Sequence, residues 1–429
     1  MSGMDRGRPA NAPRNERAGR TAGAALRQRD FAIYWSGSVL SLVGTQFTTV
    51  AMAWQIYDLT NSPLELGLLG LARGAPMLVL LLFGGVLADA VNRRHLMMVT
   101  QIAQMCVSVS LAVITLAGWI SPPILYAASL FIALFSSLEQ PARTAIVPNL
   151  VPRRDLTGAL ALSGMQRHLA AIVGPSLAGL LLAQSGPTAC YAVDAVSWLV
   201  MLAALVIMRP IAQVARGRGA VSLQAVREGL QFVWAHPVLL SLMALDFSQN
   251  FFGSGRALLP IYARDILGVG PQGLGLLYSA NSAGALVMGT VMSVRTQVRR
   301  AGAWVLMSVA MYGAFMTFFG VSKFFWLSFL MLAAAGAANT VSFVLRNTIN
   351  QLLTPDEIRG RVTSVNSMFT NTGPHLGQFG AGALASAIGA VGATAVGGLL
   401  ATLVAGGLAA VASVRRFELR ESPAVGTQP

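Results

Sequence analysis

Charged residues are scarce: only 11% of the 429 residues are Asp, Glu, Lys or Arg, less than half the roughly 25% of an ordinary soluble domain. With 55% hydrophobic residues and a mean hydropathy of +0.63, the composition excludes a soluble enzyme and a disordered chain. Two cysteines occur, Cys106 and Cys190, each inside an apolar run without a CxxC or a Cys/His companion. Neither a disulfide framework nor a zinc site is therefore expected. Four histidines, with no HExxH pattern, leave no metal or cofactor to expect, and the absence of a Walker lysine motif excludes ATP hydrolysis. GSGRA at 253–257 lacks the strand-turn-helix context of a nucleophile elbow, so no catalytic residue is assigned.

What the sequence does contain is apolar runs. A hydrocarbon core of roughly 30 Å needs about 20 apolar residues per helical crossing. Twelve segments meet that length: 31–57, 64–88, 96–119, 123–148, 157–184, 188–208, 237–262, 272–294, 301–321, 325–352, 361–388 and 390–414. The expected fold is all-α and polytopic. A disordered cytoplasmic tail (1–30) precedes a six-helix bundle (31–209); a central cytoplasmic loop (210–236) leads to a second bundle (237–414) and a C-terminal tail (415–429). In the central loop Leu223, Val226, Leu230 and Val233 recur at helical spacing, the pattern of an interfacial amphipathic helix.

The net charge of +14 does not form a nucleic-acid stripe with interleaved aromatics. It sits in every second loop, at Arg93 and Arg94, Arg153 and Arg154, Arg209 to Arg227, Arg295 to Arg300, Arg359 and Arg361, and Arg415 to Arg420. The loops AGWISPP, AQSGPT and IGAVG between them hold no Lys or Arg. By the positive-inside rule both termini are cytoplasmic, in the inner membrane.

The halves repeat. Arg143 and Arg346, Pro152 and Pro355, Gly174 and Gly377, and Gly179 and Gly382 share one offset of 203, and LGLL at 66–69 returns at 274–277. Parallel six-helix halves are the organisation that carries a substrate site between them near the midplane.

GGVLADAVNRRH at 84–95 resembles the loop signature between helices two and three of the major facilitator superfamily, with Ala90 and Asn92 in place of its usual Arg and Gly. YDLTNSPLELGLL at 57–69, QPARTAIVPNLVP at 140–152 and TPDEIRGRVTSV at 354–365 look like its exporter branch of enterobactin (siderophore) and macrolide exporters. GPSLAG at 174–179 is similar to the fifth-helix antiporter motif. The resemblance implies a monomeric secondary transporter exporting a small molecule by proton antiport, with Gly85, Asp89, Arg93, Arg94, Arg143, Gly174, Pro175, Arg346, Arg359 and Arg361 controlling its conformation. Asp89 would pair with Arg93 or Arg143, and Asp356 and Glu357 would partner the second-half arginines.

Ionisable groups inside the crossings must face a partner or a wet cavity, because each costs several kcal/mol in lipid. Counting about 1.5 Å per residue puts Arg73, Arg167, His168, Asp246 and His375 near mid-depth, Asp194 and Arg256 nearer the outer side and Glu139 nearer the inner. Arg73, Arg167, Arg256, Asn281 and His375 are the candidate cargo ligands, which favours an anionic, siderophore-like cargo; a macrolide or multidrug pump is the alternative. Asp246, His168, Asp194 and Glu139 are the candidate proton carriers, with Asp246 first and expected to pair with Arg256 or Arg167. A membrane-embedded enzyme or sensor built on Glu139, His168 and Asp246 is the competing class, and the two-half repeat speaks against it.

Overall fold

The computed structural model describes residues 23–90, 92–209, 223–294, 300–411, 415 and 417, excluding the side chains of 77–90 and 223–226. Every regular element among them is helical. The chain runs α1 (Arg29–Thr60), α2 (Pro63–Ala90), α3 (Arg93–Leu116), α4 (Pro122–Leu150), α5 (Leu156–Ile207), α6 (Leu223–Ala235), α7 (Pro237–Phe252), α8 (Gly270–Val294), α9 (Ala301–Val321), α10 (Phe325–Leu353) and α11 (Arg359–Ala409). Between α7 and α8 the chain continues as short helical turns over Ser254–Ile266. Among the described residues eight helices are long and apolar enough to cross a membrane, and a pair bent by 107° at His236 passes as a ninth. The protein is thus a multi-pass membrane protein.

Two helices are too long for one crossing. The 52 residues of α5 would extend about 78 Å at 1.5 Å per residue, more than twice the hydrocarbon thickness. Each long helix is interrupted by one glycine with positive φ, Gly186 in α5 (φ 74°) and Gly389 in α11 (φ 78°). Side chains rarely adopt that conformation. These glycines also lie 203 residues apart, so the break belongs to the repeat.

The repeat is visible in the packing. Gly174 of α5 lies against Val43 and Gln46 of α1, and Gly377 of α11 lies against Phe251 and Ser254 in the equivalent places of the second half. The halves meet at two crossings that exchange under the same symmetry. Gly67 of α2 faces Gly382 of α11, and Gly275 of α8 faces Gly179 of α5. A Cβ built on Gly382 would stand 2.7 Å from the Gly67 Cα, and one on Gly179 would stand 2.9 Å from the Gly275 Cα. Small residues let backbones approach closely enough for dispersion to hold helices together where lipid removes the hydrophobic drive. Beside the second crossing Ser176 donates to Ser279 at 2.8 Å, and Ser279 donates to the Ile172 carbonyl at 2.6 Å.

Two parts of the expected layout change. Residues 23–26, expected in a disordered tail, are helical, and Ala25 is buried with Phe31, Met97 and Ala142. The described part of the apolar face of α6 is not left to the lipid interface. Val233 and Leu230 pack with Leu239, Met243, Val362 and Val365, and Glu228 forms an ion pair with Arg361. The helix is clamped to its own half, with Trp234 left exposed. Residues 1–22, 210–222 and 418–429 of the expected tails and loop lie outside the described residues.

The seam can be tested by overpacking. Gly275→Ala and Gly382→Ala each push a methyl group into opposing backbone and are expected to cost roughly 1–3 kcal/mol, seen as a lower thermal midpoint in detergent. Gly164→Ala, which meets open space, is expected to cost nothing; equal loss at all three positions would contradict the seam.

Candidate functional site

Each half holds one buried ion pair, built from different parts. In the first, Arg143 pairs with Glu139 one turn earlier on α4 at 2.8 Å and donates to Ser38 of α1 at 3.0 Å. Gln101 and Gln104 of α3 donate to the Glu139 carboxylate at 3.0 and 3.1 Å. In the second, Arg346 of α10 pairs with Asp246 of α7 at 2.6 Å, and Thr370 and Asn250 donate to that carboxylate at 2.7 and 3.0 Å. Ser38 and Asp246 are equivalent positions at an offset of 208, as are Glu139 and Ser342 at 203. The carboxylate has changed helices between the halves while its arginine stayed. Asp246 therefore pairs with Arg346, and neither Arg256 nor Arg167 reaches it as expected from sequence.

The conformational candidates divide. Gly85 and Asp89 lie on α2 where side chains are outside the described residues. Arg143 is engaged by Glu139 within its own half. Arg93 and Arg94 donate to the Ala145 and Val206 carbonyls at 3.5 and 3.2 Å, placing positive charge near the C-terminal ends of α4 and α5. Asn92 caps α3, its side chain accepting from the Arg94 and His95 amides. Arg359 pairs with Asp356, and Arg361 with Glu228 instead of a loop carboxylate. The Pro175 carbonyl is what a side chain at Gly275 would strike.

A cavity of about 290 Å³ opens between α1, α2, α3, α4, α5 and α11, lined by Arg73, Asp194, His375, Gln104 and the hydroxyls of Thr45, Thr48 and Ser129. A second cavity of about 210 Å³, lined by Glu139, Arg143 and Arg167, shares Thr45, Ser136, Gln140 and Trp198 with it. The two cavities adjoin across these shared residues, one at Arg143 and the other at Arg73. Arg73 donates to Ser129 at 3.2 Å. His375 is pressed against Gly74, a position where a side chain would collide with it, and its Nδ1 is buried without a hydrogen-bond partner. From the second half Arg256 donates to Asn281 at 3.3 Å, and its buried Nε has no partner. Among the described residues neither guanidinium forms an ion pair.

The other candidates stand apart from this focus. Arg167 reaches only the second cavity, and it and His168 are exposed on α5. Counting residues along a helix fixes depth but not the side faced. Asp194 is 2% exposed and lines the first cavity. Sequence reasoning missed the groups that join the halves near the Asn61 end: Tyr57 donates to Asp265, Arg264 pairs with Asp58 at 3.2 Å, and Arg264 lies 5.7 Å from the Tyr57 ring centre. ARD at 263–265 reads as an ordinary polar helix end, and nothing local marks its partner 208 residues away.

The Asp246–Arg346 pair yields a double-mutant test. Arg346→Gln strands a buried carboxylate and is expected to cost about 3–5 kcal/mol of stability, while Asp246→Asn combined with Arg346→Gln recovers most of it. Thermal unfolding of the three purified proteins checks this; an additive double variant would show that the two side chains act separately.

Residues 20–427 match the transmembrane secretion effector family. The enterobactin exporter EntS of Escherichia coli O1:K1 / APEC is 27% identical over 354 residues, 82% of this chain and 83% of the relative. EntS of Shigella boydii serotype 18 matches to the same extent. Among solved structures, a bacterial homologue of the human lysosomal transporter Spinster, inward-facing and unoccupied, superposes with a TM-score of 0.63 at 15% identity, covering 94% of this chain and 97% of that one. A POT family transporter bound to a thioalcohol-conjugated peptide gives 0.69 at 12% identity over 92% and 99% of the chains. At these identities the structures speak to fold alone. The relatives are transporters and not enzymes, and the chain belongs to the transmembrane secretion effector family, within the major facilitator superfamily.

Proposed function

We propose that this protein is a secondary exporter that carries a small amphipathic organic anion out of the cytoplasm in exchange for protons, by alternating access between two six-helix halves. The observation that carries the reading is Arg73, which faces the cavity without a carboxylate partner among the described residues, with Arg256 of the second half likewise unpaired there. A guanidinium held in a low-dielectric cavity attracts a planar oxyanion through paired hydrogen bonds, and a cationic drug would be repelled. The exporter name of the EntS relatives supports the direction of transport.

Counting α5 and α11 twice, the bent pair once and α2 once gives twelve crossings. The basic loops then face the cytoplasm, with both termini, and the protein sits in the inner membrane as a monomer. The Tyr57, Asp58, Arg264 and Asp265 contacts form a closed outer gate, and the joined cavities lead inward past Arg143 and Arg167. A cargo entering from the cytoplasm would meet Arg167 first and Arg73 at the end of the path. Opening the outer gate requires these polar contacts to break while the glycine crossings pivot. Gly85, Asp89, Arg93 and Arg94 would form the matching inner closure.

Everted vesicles supply the test, with 2,3-dihydroxybenzoate as anionic probe and its methyl ester as neutral control. Arg73→Gln and Arg256→Gln each remove charge-assisted hydrogen bonds worth about 1.5–3 kcal/mol, and are expected to weaken uptake affinity for the anion on the order of tenfold or more while altering the ester far less. Equal loss for both probes would assign the arginines to structure instead of recognition.

A further inference from the structure

Three buried carboxylates occupy the middle of the described helices, and they are not held alike. Glu139 and Asp246 each touch an arginine and accept further donors. Asp194, on the second limb of α5, touches no cation among the described residues. Thr48 of α1 and Ser108 of α3 each donate to its Oδ2 at 2.7 Å, while Oδ1 is buried and accepts no hydrogen bond. Gly44 of α1 packs beside that oxygen: a Cβ there would stand 3.2 Å from Oδ1 and would collide with Ser197. Asp194 also lines the cavity that holds Arg73.

The surroundings restrict what can answer its charge. From α1 come Thr48 and Gly44, and from α3 come Ser108 and Gln104, all neutral. From α4 the cavity receives Ser129, Ser136 and Gln140, and Glu139 is turned to Gln101 and Gln104. On its own helix the neutral donors Ser197 and Trp198 stand beside the carboxylate, and the Tyr191 hydroxyl is spent on Gln55. The charged or titratable groups that share the cavity are Arg73 and His375. A carboxylate buried without a counter-ion is unstable, and it is relieved either by taking a proton or by accepting a new donor.

We propose that Asp194 is the exchange site, where a transported proton and a hydroxyl or amide donor of the cargo compete for one carboxylate oxygen, Oδ1. This rests on the antiport reading above and narrows the cargo to an organic acid that carries such a donor, its anionic group at Arg73 and its donor at Asp194. Competition at one lone pair makes the exchange obligatory. Cargo arriving from the cytoplasm displaces the proton into the cytoplasm. A proton arriving from outside removes the acceptor and releases the cargo there.

Infrared spectroscopy of the full-length protein in liposomes tests this without relying on transport. Acidification is expected to raise a protonated-carboxyl band that Asp194→Asn abolishes and Asp246→Asn retains. Ser108→Ala, which removes a donor to the ionised form, is expected to shift the band's midpoint to higher pH, a response no purely structural role would produce. At a pH where the band is present, 2,3-dihydroxybenzoate is expected to diminish it and benzoate, which lacks the hydroxyls, to leave it. A band that survives Asp194→Asn, or that both probes diminish alike, overturns the proposal. Should vesicles fail to move 2,3-dihydroxybenzoate while the band behaves as described, the export reading fails and the Asp194 site stands.

Discussion

A charge removed from water into a low-dielectric interior must be answered by another charge, by hydrogen bonds or by a wet cavity. In this protein that requirement separates framework from mechanism. Glu139 with Arg143 and Asp246 with Arg346 are answered within their own halves, each by an arginine and at least two further hydrogen bonds. These contacts tie α1, α3 and α4 together in one half and α7, α10 and α11 in the other. Arg73, Arg256 and Asp194 are left without ion partners among the described residues, and Arg73 and Asp194 face one cavity. The unanswered charges are where a ligand has something to contribute.

The two-fold repeat organises the framework but not the site. Gly174 and Gly377, Gly186 and Gly389, and the crossings Gly67–Gly382 and Gly179–Gly275 do the same work in both halves. Backbone contacts of this kind depend on the absence of a side chain and tolerate little change. The polar positions have diverged instead. Arg73 on α2 has Asn281 as its equivalent on α8, and Arg256 has Thr48. The two arginines therefore occupy positions that the symmetry does not exchange.

Much of this was legible in the residue order because helix length, loop charge and small-residue spacing are local signals. The offset of 203 located Arg143, Arg346, Gly179 and Gly382 before any coordinates. Gly186 and Gly389 went unread as a matched pair, since one lies in the polar stretch AQSGPT and the other in the apolar run ASAIGAVG, and neither setting marks a break by itself. Partners of buried charges were not legible: Asp246 meets Arg346 across 100 residues, and rise per residue gives depth without direction. The same limit made exposed Arg167 and His168 look central. The α6 helix showed its amphipathic period plainly, but periodicity cannot say whether lipid or protein covers the apolar face.

The alternating access proposed above requires the halves to rock about the two glycine crossings, one end closing as the other opens. Spin labels at Trp119 and Trp326, exposed at one end on opposite halves, and at Arg154 and Asp356, exposed at the other, would report it directly by pulsed electron resonance. When pH and 2,3-dihydroxybenzoate are varied in liposomes, the two distances are expected to change in opposite senses, one lengthening as the other shortens. Distances that lengthen together, or a change at one end alone, would contradict two rigid halves pivoting on the glycine seam.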